Sequence, residues 1–91
     1  MNKIEYNIID NTGRILLKDN WCIEIGDQYY DGYRKIKTTK GWNYIDKDGN
    51  ILSDEYYSLV WDFKGDFGMV LNKDGKLLYI DTQGNLYNKR Y

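Results

Sequence analysis

The sequence predicts an all-β, antiparallel fold of short-strand hairpin repeats. About two and a half units follow one another in a meander-like or solenoid-like array. Three observations predict it. The pentapeptide Ile-Asp-x-x-Gly occurs at residues 9–13, 45–49 and 80–84, a period of about 36 residues. Between the copies, apolar residues recur at every second position, the spacing of a strand face, and no stretch carries them at the 3.6-residue spacing of a helix. The composition agrees: ten Tyr and three Trp supply bulky side chains suited to strands, nine Gly supply turn positions, and Pro is absent.

Each element has its own warrant. The first hairpin is Tyr6-Asn7-Ile8-Ile9-Asp10-Asn11-Thr12-Gly13-Arg14-Ile15-Leu16. Asp at the first turn position hydrogen-bonds its own backbone, and Gly at the last takes positive φ, so Gly13, Gly49 and Gly84 are expected to close three hairpins. Trp21-Cys22-Ile23-Glu24-Ile25 follows, with its first, third and fifth residues apolar and on one strand face. Tyr29-Tyr30-Asp31-Gly32-Tyr33-Arg34-Lys35-Ile36-Lys37 is a turn and a strand leading into the second hairpin, Trp42 to Leu52 in the same pattern. Tyr57-Ser58-Leu59-Val60-Trp61 aligns with the segment at Trp21, which places Tyr57, Leu59 and Trp61 on one face with Phe63 continuing it. The stretch 65–71 aligns with 29–37 by matching Gly68 to Gly32. The third hairpin is Leu77 to Tyr87, and residues 88–91 are expected to be a frayed tail. A single domain, 1–91, results, with units of about 4–40, 41–74 and 75–91 and about ten short strands in all.

The second copy, Gly41-Trp42-Asn43-Tyr44-Ile45-Asp46 through Gly49-Asn50-Ile51, resembles the WG (KWG) repeat family. That family's pattern is approximately F-x-x-G-x-A-x-V, a short turn, then G-K-W-G-Y-I-D-x-x-G-x-[IV]. Tyr29 stands in its aromatic slot, and the distance from Gly32 to Asp46 matches its spacing. The chain departs from the pattern at the second Gly, which is Asn7, Asn43 and Leu78 here. The Trp is kept only as Trp42, with Tyr6 and Leu77 in the other slots. The distance from Gly68 to Asp81 is one residue short, read as a bulge or a shorter turn. The resemblance implies an all-β repeat with a protein-interaction role in bacteria, and it carries no catalytic residues.

Chemistry narrows the function. Without His, the usual general base and commonest metal ligand are missing. The repeated acids Asp10, Asp46 and Asp81 are accounted for by turn formation. Cys22, the only cysteine, lies in a strand pattern without a His to activate it. Asp46-Lys47-Asp48-Gly49-Asn50 and Asn72-Lys73-Asp74-Gly75 begin like calcium loops but place Gly fourth instead of sixth. The expectation is therefore no catalytic residue, no metal and no cofactor: a non-enzymatic protein-interaction module, such as an adaptor or small inhibitor. The net charge of −1 and the single small basic cluster of Arg34, Lys35, Lys37 and Lys40 argue against nucleic acid. The absence of an apolar leader or a span-length apolar run points to the cytoplasm and away from the membrane. The binding candidates are Tyr30, Tyr33, Trp42 and Trp61, because Tyr29, Tyr30 and Tyr33 are too many aromatics for one short segment to bury. The alternative is an aromatic-rich carbohydrate or cell-wall-binding module, whose repeats recur at about 20 residues rather than 36. Open sheet edges at both ends of the array suggest a homodimer.

Overall fold

The computed structural model describes residues 4–17 and 21–88. It is all-β, and among those residues there is no helix. Seven strands are formed: β1 (Glu24–Ile25), β2 (Arg34–Thr38), β3 (Gly41–Ile45), β4 (Leu59–Val60), β5 (Phe67–Leu71), β6 (Leu77–Asp81) and β7 (Leu86–Tyr87). Every pairing is antiparallel, in two sheets of order β1-β2-β3 and β4-β5-β6-β7. The remaining pairings expected from the sequence are single bridges, Tyr6 to Cys22, Ile9 to Ile15, Trp42 to Tyr57 and Ile45 to Ile51, so the described residues hold seven strands instead of about ten.

The hairpin turns are built alike. The Asp10, Asp46 and Asp81 carbonyls accept from the N–H of Gly13, Gly49 and Gly84. Each Asp Oδ1 also accepts from the N–H groups two and four residues on, at 2.9–3.0 Å. The three glycines have φ of 86°, 88° and 84°, as the sequence predicts. A fourth turn of this kind joins β5 to β6: Asn72 Oδ1 accepts from Asp74 and Lys76, and Gly75 has φ 85°. Two tighter reversals, Asp31-Gly32 and Gly65-Asp66, have positive φ at both central residues, the geometry of two-residue hairpins.

The repeat stacks as three layers. The first is the opening hairpin with Cys22. The second is the β1-β2-β3 sheet with the return arm at Ile51, and the third is the β4–β7 sheet. Leu17, Cys22, Ile36 and Ile45, with Ile8, Ile25 and Ile51 against them, form the core between the first two layers. Tyr44, Tyr57, Val60, Phe63, Val70 and Ile80 form the core between the second and third. The turn of each layer lies on the layer before it: a Cβ at Gly49 would stand 2.9 Å from Leu16 Cβ, and one at Gly84 would stand 2.8 Å from Leu52 O.

Two alignments made on the sequence are displaced. The Ile45 and Ile80 registers place Arg34 opposite Ile45 and Gly68 opposite Ile80. Gly68 therefore corresponds to Arg34 inside a strand, and Gly32 corresponds to Asp66. The missing residue between Gly68 and Asp81 is an artefact of matching the wrong glycines. The β5–β6 turn is in fact longer than the turn after Thr38. The segments at Trp21 and Tyr57 are also one residue out. Cys22 pairs with Tyr6 as Tyr57 pairs with Trp42, and both are buried. After each of them the chain leaves one layer for the next: Ile23 N–H donates to Lys37 C=O, and Ser58 N–H to Leu71 C=O. The bend breaks the alternation. Tyr57 and Phe63 are core, while Leu59 and Trp61 are exposed. Lys89, Arg90 and Tyr91, most of the expected tail, lie outside the described residues.

Candidate protein-interaction surface

The four aromatic candidates are not equivalent. Tyr33 lies with its ring stacked on Phe63, centroids 4.6 Å apart, and its hydroxyl donates to Thr82 C=O at 3.0 Å. Burial raises its pKa. Tyr30 and Trp42 are half-buried and pack against the second core. Trp42 also has the Lys37 ammonium 5.8 Å from its ring centroid. Tyr29, Tyr30 and Tyr33 are all half-buried, so the segment places its aromatics by spreading them over core edges and not by exposing one. Trp61 alone of the four is exposed, at 40%.

Trp61 does not stand alone. In β4 and just beyond, Leu59 and Trp61 flank the inward-facing Val60 and so project from the opposite face of the sheet. Leu59 is opposite Leu71 and Leu71 opposite Leu77, while Trp61 N–H donates to Met69 C=O. Residues directly opposite in an antiparallel pair share a face. Leu59, Trp61, Met69, Leu71 and Leu77 therefore form one apolar patch on the outer face of the third layer. Leu59 and Leu77 are 46% and 50% exposed.

The second layer supplies an internal comparison. In the corrected register Leu59, Trp61, Met69 and Leu71 correspond to Glu24, Gly26, Lys35 and Lys37. There the same backbone carries charge: Lys37 Nζ is 3.6 Å from Glu24 Oε2, and Lys35 Nζ is 3.3 Å from Asp62 Oδ1. The fold thus does not require apolar residues at these positions. The patch was missed in the sequence because the segments were aligned one residue out, which set Trp61 against Ile25 and Leu59 against Ile23 and made the pattern look like shared core.

The basic cluster is engaged internally. Arg34 Nε donates to Gly26 C=O at 2.6 Å, with its guanidinium 5.6 Å from the Tyr29 centroid. Lys40 lies over Tyr56 at 5.6 Å. Strand alternation also sets Arg34 on the opposite face from Lys35 and Lys37. A shallow groove of about 370 Å³, lined in part by Ile9, Leu16, Tyr29, Arg34 and Lys47, runs beside the first hairpin. Cys22 is fully buried, and desolvation pushes its thiol up to about 11. Among the described residues, no group of three or more Cys, Asp or Glu is placed to hold a metal ion. No helix there is long and apolar enough to cross a membrane.

Comparison with protein-family profiles, with curated proteins and with solved structures finds no match to this chain.

Proposed function

We propose that the chain is a non-enzymatic protein-interaction module that binds a protein partner through the apolar patch of the third layer, with the exposed Trp61 and Leu59 as its main contacts. One observation carries this reading. The same scaffold positions are apolar in the third layer, with Leu59 and Trp61 exposed and Met69 and Leu71 half-buried, but charged or glycine in the second. Exposed apolar side chains that packing does not demand mark interaction sites, and Trp is over-represented among the residues that dominate binding energy. The resemblance of residues 41–51 to WG repeats supports the same reading, as that family is expected to act in protein interaction. A cytoplasmic, adaptor-like or inhibitory role is part of this proposal.

The test is affinity capture with wild type and with Trp61→Ala and Leu59→Lys side by side. A specific protein retained by wild type and weakened at least tenfold by either variant, with melting temperature unchanged, is the expected result. Binding on a glycan array that is quenched by Trp61→Ala would transfer the site to carbohydrate recognition. Capture insensitive to both variants would remove the patch from the function.

A further inference from the structure

At the opposite end of the stack, the first arm of the opening hairpin has an edge with no partner among the described residues. Tyr6 exchanges both backbone hydrogen bonds with Cys22, and Ile8 C=O accepts from Leu16 N–H. Peptide groups alternate in direction along a strand, so those of Asn7 and Ile9 point the other way. Among the described residues nothing pairs with them there. In the later layers that side is occupied: Arg34 and Ile36 pair with Ile45 and Asn43, and Gly68 and Val70 pair with Ile80 and Leu78. Ile45 and Ile80 are fully buried, whereas Ile9, at the same repeat position, is 63% exposed.

What fills this place twice within the chain describes its occupant. It is an antiparallel strand with a β-branched aliphatic residue opposite Asn43 or Leu78, namely Ile36 or Val70. Asn7 is the counterpart of Asn43, its amide holding the return arm through Leu17 as Asn43 holds it through Ser53. The residue needed opposite Asn7 is then an Ile or Val in a strand with a free edge. The first arm of the chain's own opening hairpin, residues 6–9, provides one. With a twofold axis at Ile8, antiparallel pairing places Ile9 of each copy opposite Asn7 of the other and repeats the Ile36–Asn43 arrangement. An axis at Asn7 would set Glu5 against Ile9. An axis at Ile9 would set Asn7 against Asn11, which belongs to the turn.

We propose that this edge binds a second copy of the chain in that twofold register, giving one continuous sheet across the dimer. The apolar patches of the two third layers then lie at the far ends, and the dimer presents both to partners, a bivalent arrangement that raises avidity without new contacts.

Light scattering on the 91-residue chain from low to high micromolar concentration tests this. The expected mass rises from 10.9 kDa to twice that value. Ile9→Lys, which places a charge on the edge, is expected to remain monomeric throughout, and Leu59→Lys on the far face to follow wild type. Amide exchange on wild type gives a second readout that needs no variant: Asn7 and Ile9 gain protection with concentration, while Tyr6 and Ile8 do not change. A mass fixed at the monomer, masses growing beyond the dimer, a dimer untouched by Ile9→Lys, or concentration-independent exchange at Asn7 and Ile9 would each overturn the proposal.

Discussion

At the scale of single residues, the layers solve one problem in two ways. The carbonyls of Gly26 and Trp61 occupy corresponding places, since the N–H groups of these residues donate to Lys35 and Met69 in matching registers. In the second layer Arg34 Nε satisfies the Gly26 carbonyl. In the third, the position of Arg34 is Gly68, and the Tyr44 hydroxyl comes up from below to donate to Trp61 C=O. Tyr44 takes the place of the shorter Ile8, and a Cβ at Gly68 would lie 2.7 Å from its oxygen and 2.8 Å from Phe63 Cε1. Tyr44 and Gly68 are therefore a pair, as are Ile8 and Arg34. Burial raises the Tyr44 pKa. Tyr44→Phe is expected to cost about 1–3 kcal/mol by leaving a part-buried carbonyl without this donor. Gly68→Ala is expected to cost about 1–3 kcal/mol by overpacking. If exchange between the pairs is coupled as the geometry requires, the double variant costs less than the sum of the two, which a double-mutant cycle by urea denaturation measures.

At the scale of elements, the turns were legible and the crossings between layers were not. Asp-x-x-Gly predicts its own geometry from local chemistry, and the structure has it at every copy. At Asn72-Lys73-Asp74-Gly75, a turn by its residue types, an amide replaces the carboxylate, and its Oδ1 accepts the same pair of N–H donors. That substitution leads to a pH prediction. Hydrogen bonds from the Thr12 hydroxyl and the Arg14 N–H hold Asp10 below its ordinary 3.8. Asp81 is also held below it: partial desolvation opposes the shift, but the Asn85 N–H and Tyr87 hydroxyl outweigh it. A carboxylate with a lowered folded-state pKa contributes stability above its unfolded value and loses it as pH falls through the folded value. Unfolding is therefore expected to become easier below about pH 4. Asp10→Asn with Asp81→Asn should keep the turns and flatten this dependence, read from melting temperature against pH. Glycine position separates strain from stacking. Gly13 and Gly49 share a positive φ, but a Cβ at Gly13 meets nothing within 4 Å while one at Gly49 runs into Leu16. Gly49→Ala is expected to melt several degrees lower than Gly13→Ala, about 4–8 °C for each kcal/mol in a domain of this size.

At the scale of the whole molecule, the two cores share one sheet. Ile36 and Ile45 face the first layer, while Tyr44 on the same β3 strand faces the third. The sequence showed the repeat but not this sharing, because Cys22 and Tyr57, where the chain changes layers, look like ordinary strand residues until their partners are known. The apolar patch was hidden for the same reason, since a residue's face depends on which layer its backbone has joined. Sharing has a consequence for stability. A repeat array unfolds piecemeal only where one unit can leave without exposing its neighbour. Here, loss of the third layer uncovers Tyr44, and loss of the first uncovers Ile36 and Ile45, each fully buried. Neither core holds more than a handful of side chains, so neither half is expected to persist alone at the scale of stability that small domains reach. Ile36→Ala and Val70→Ala, one in each core, are each expected to cost about 2–5 kcal/mol. Both should do so in a single transition, with far-ultraviolet circular dichroism and tryptophan fluorescence coinciding across the urea range. Two separated transitions in either variant, one layer melting while the other core stays folded, would show that the β1-β2-β3 sheet does not couple the halves.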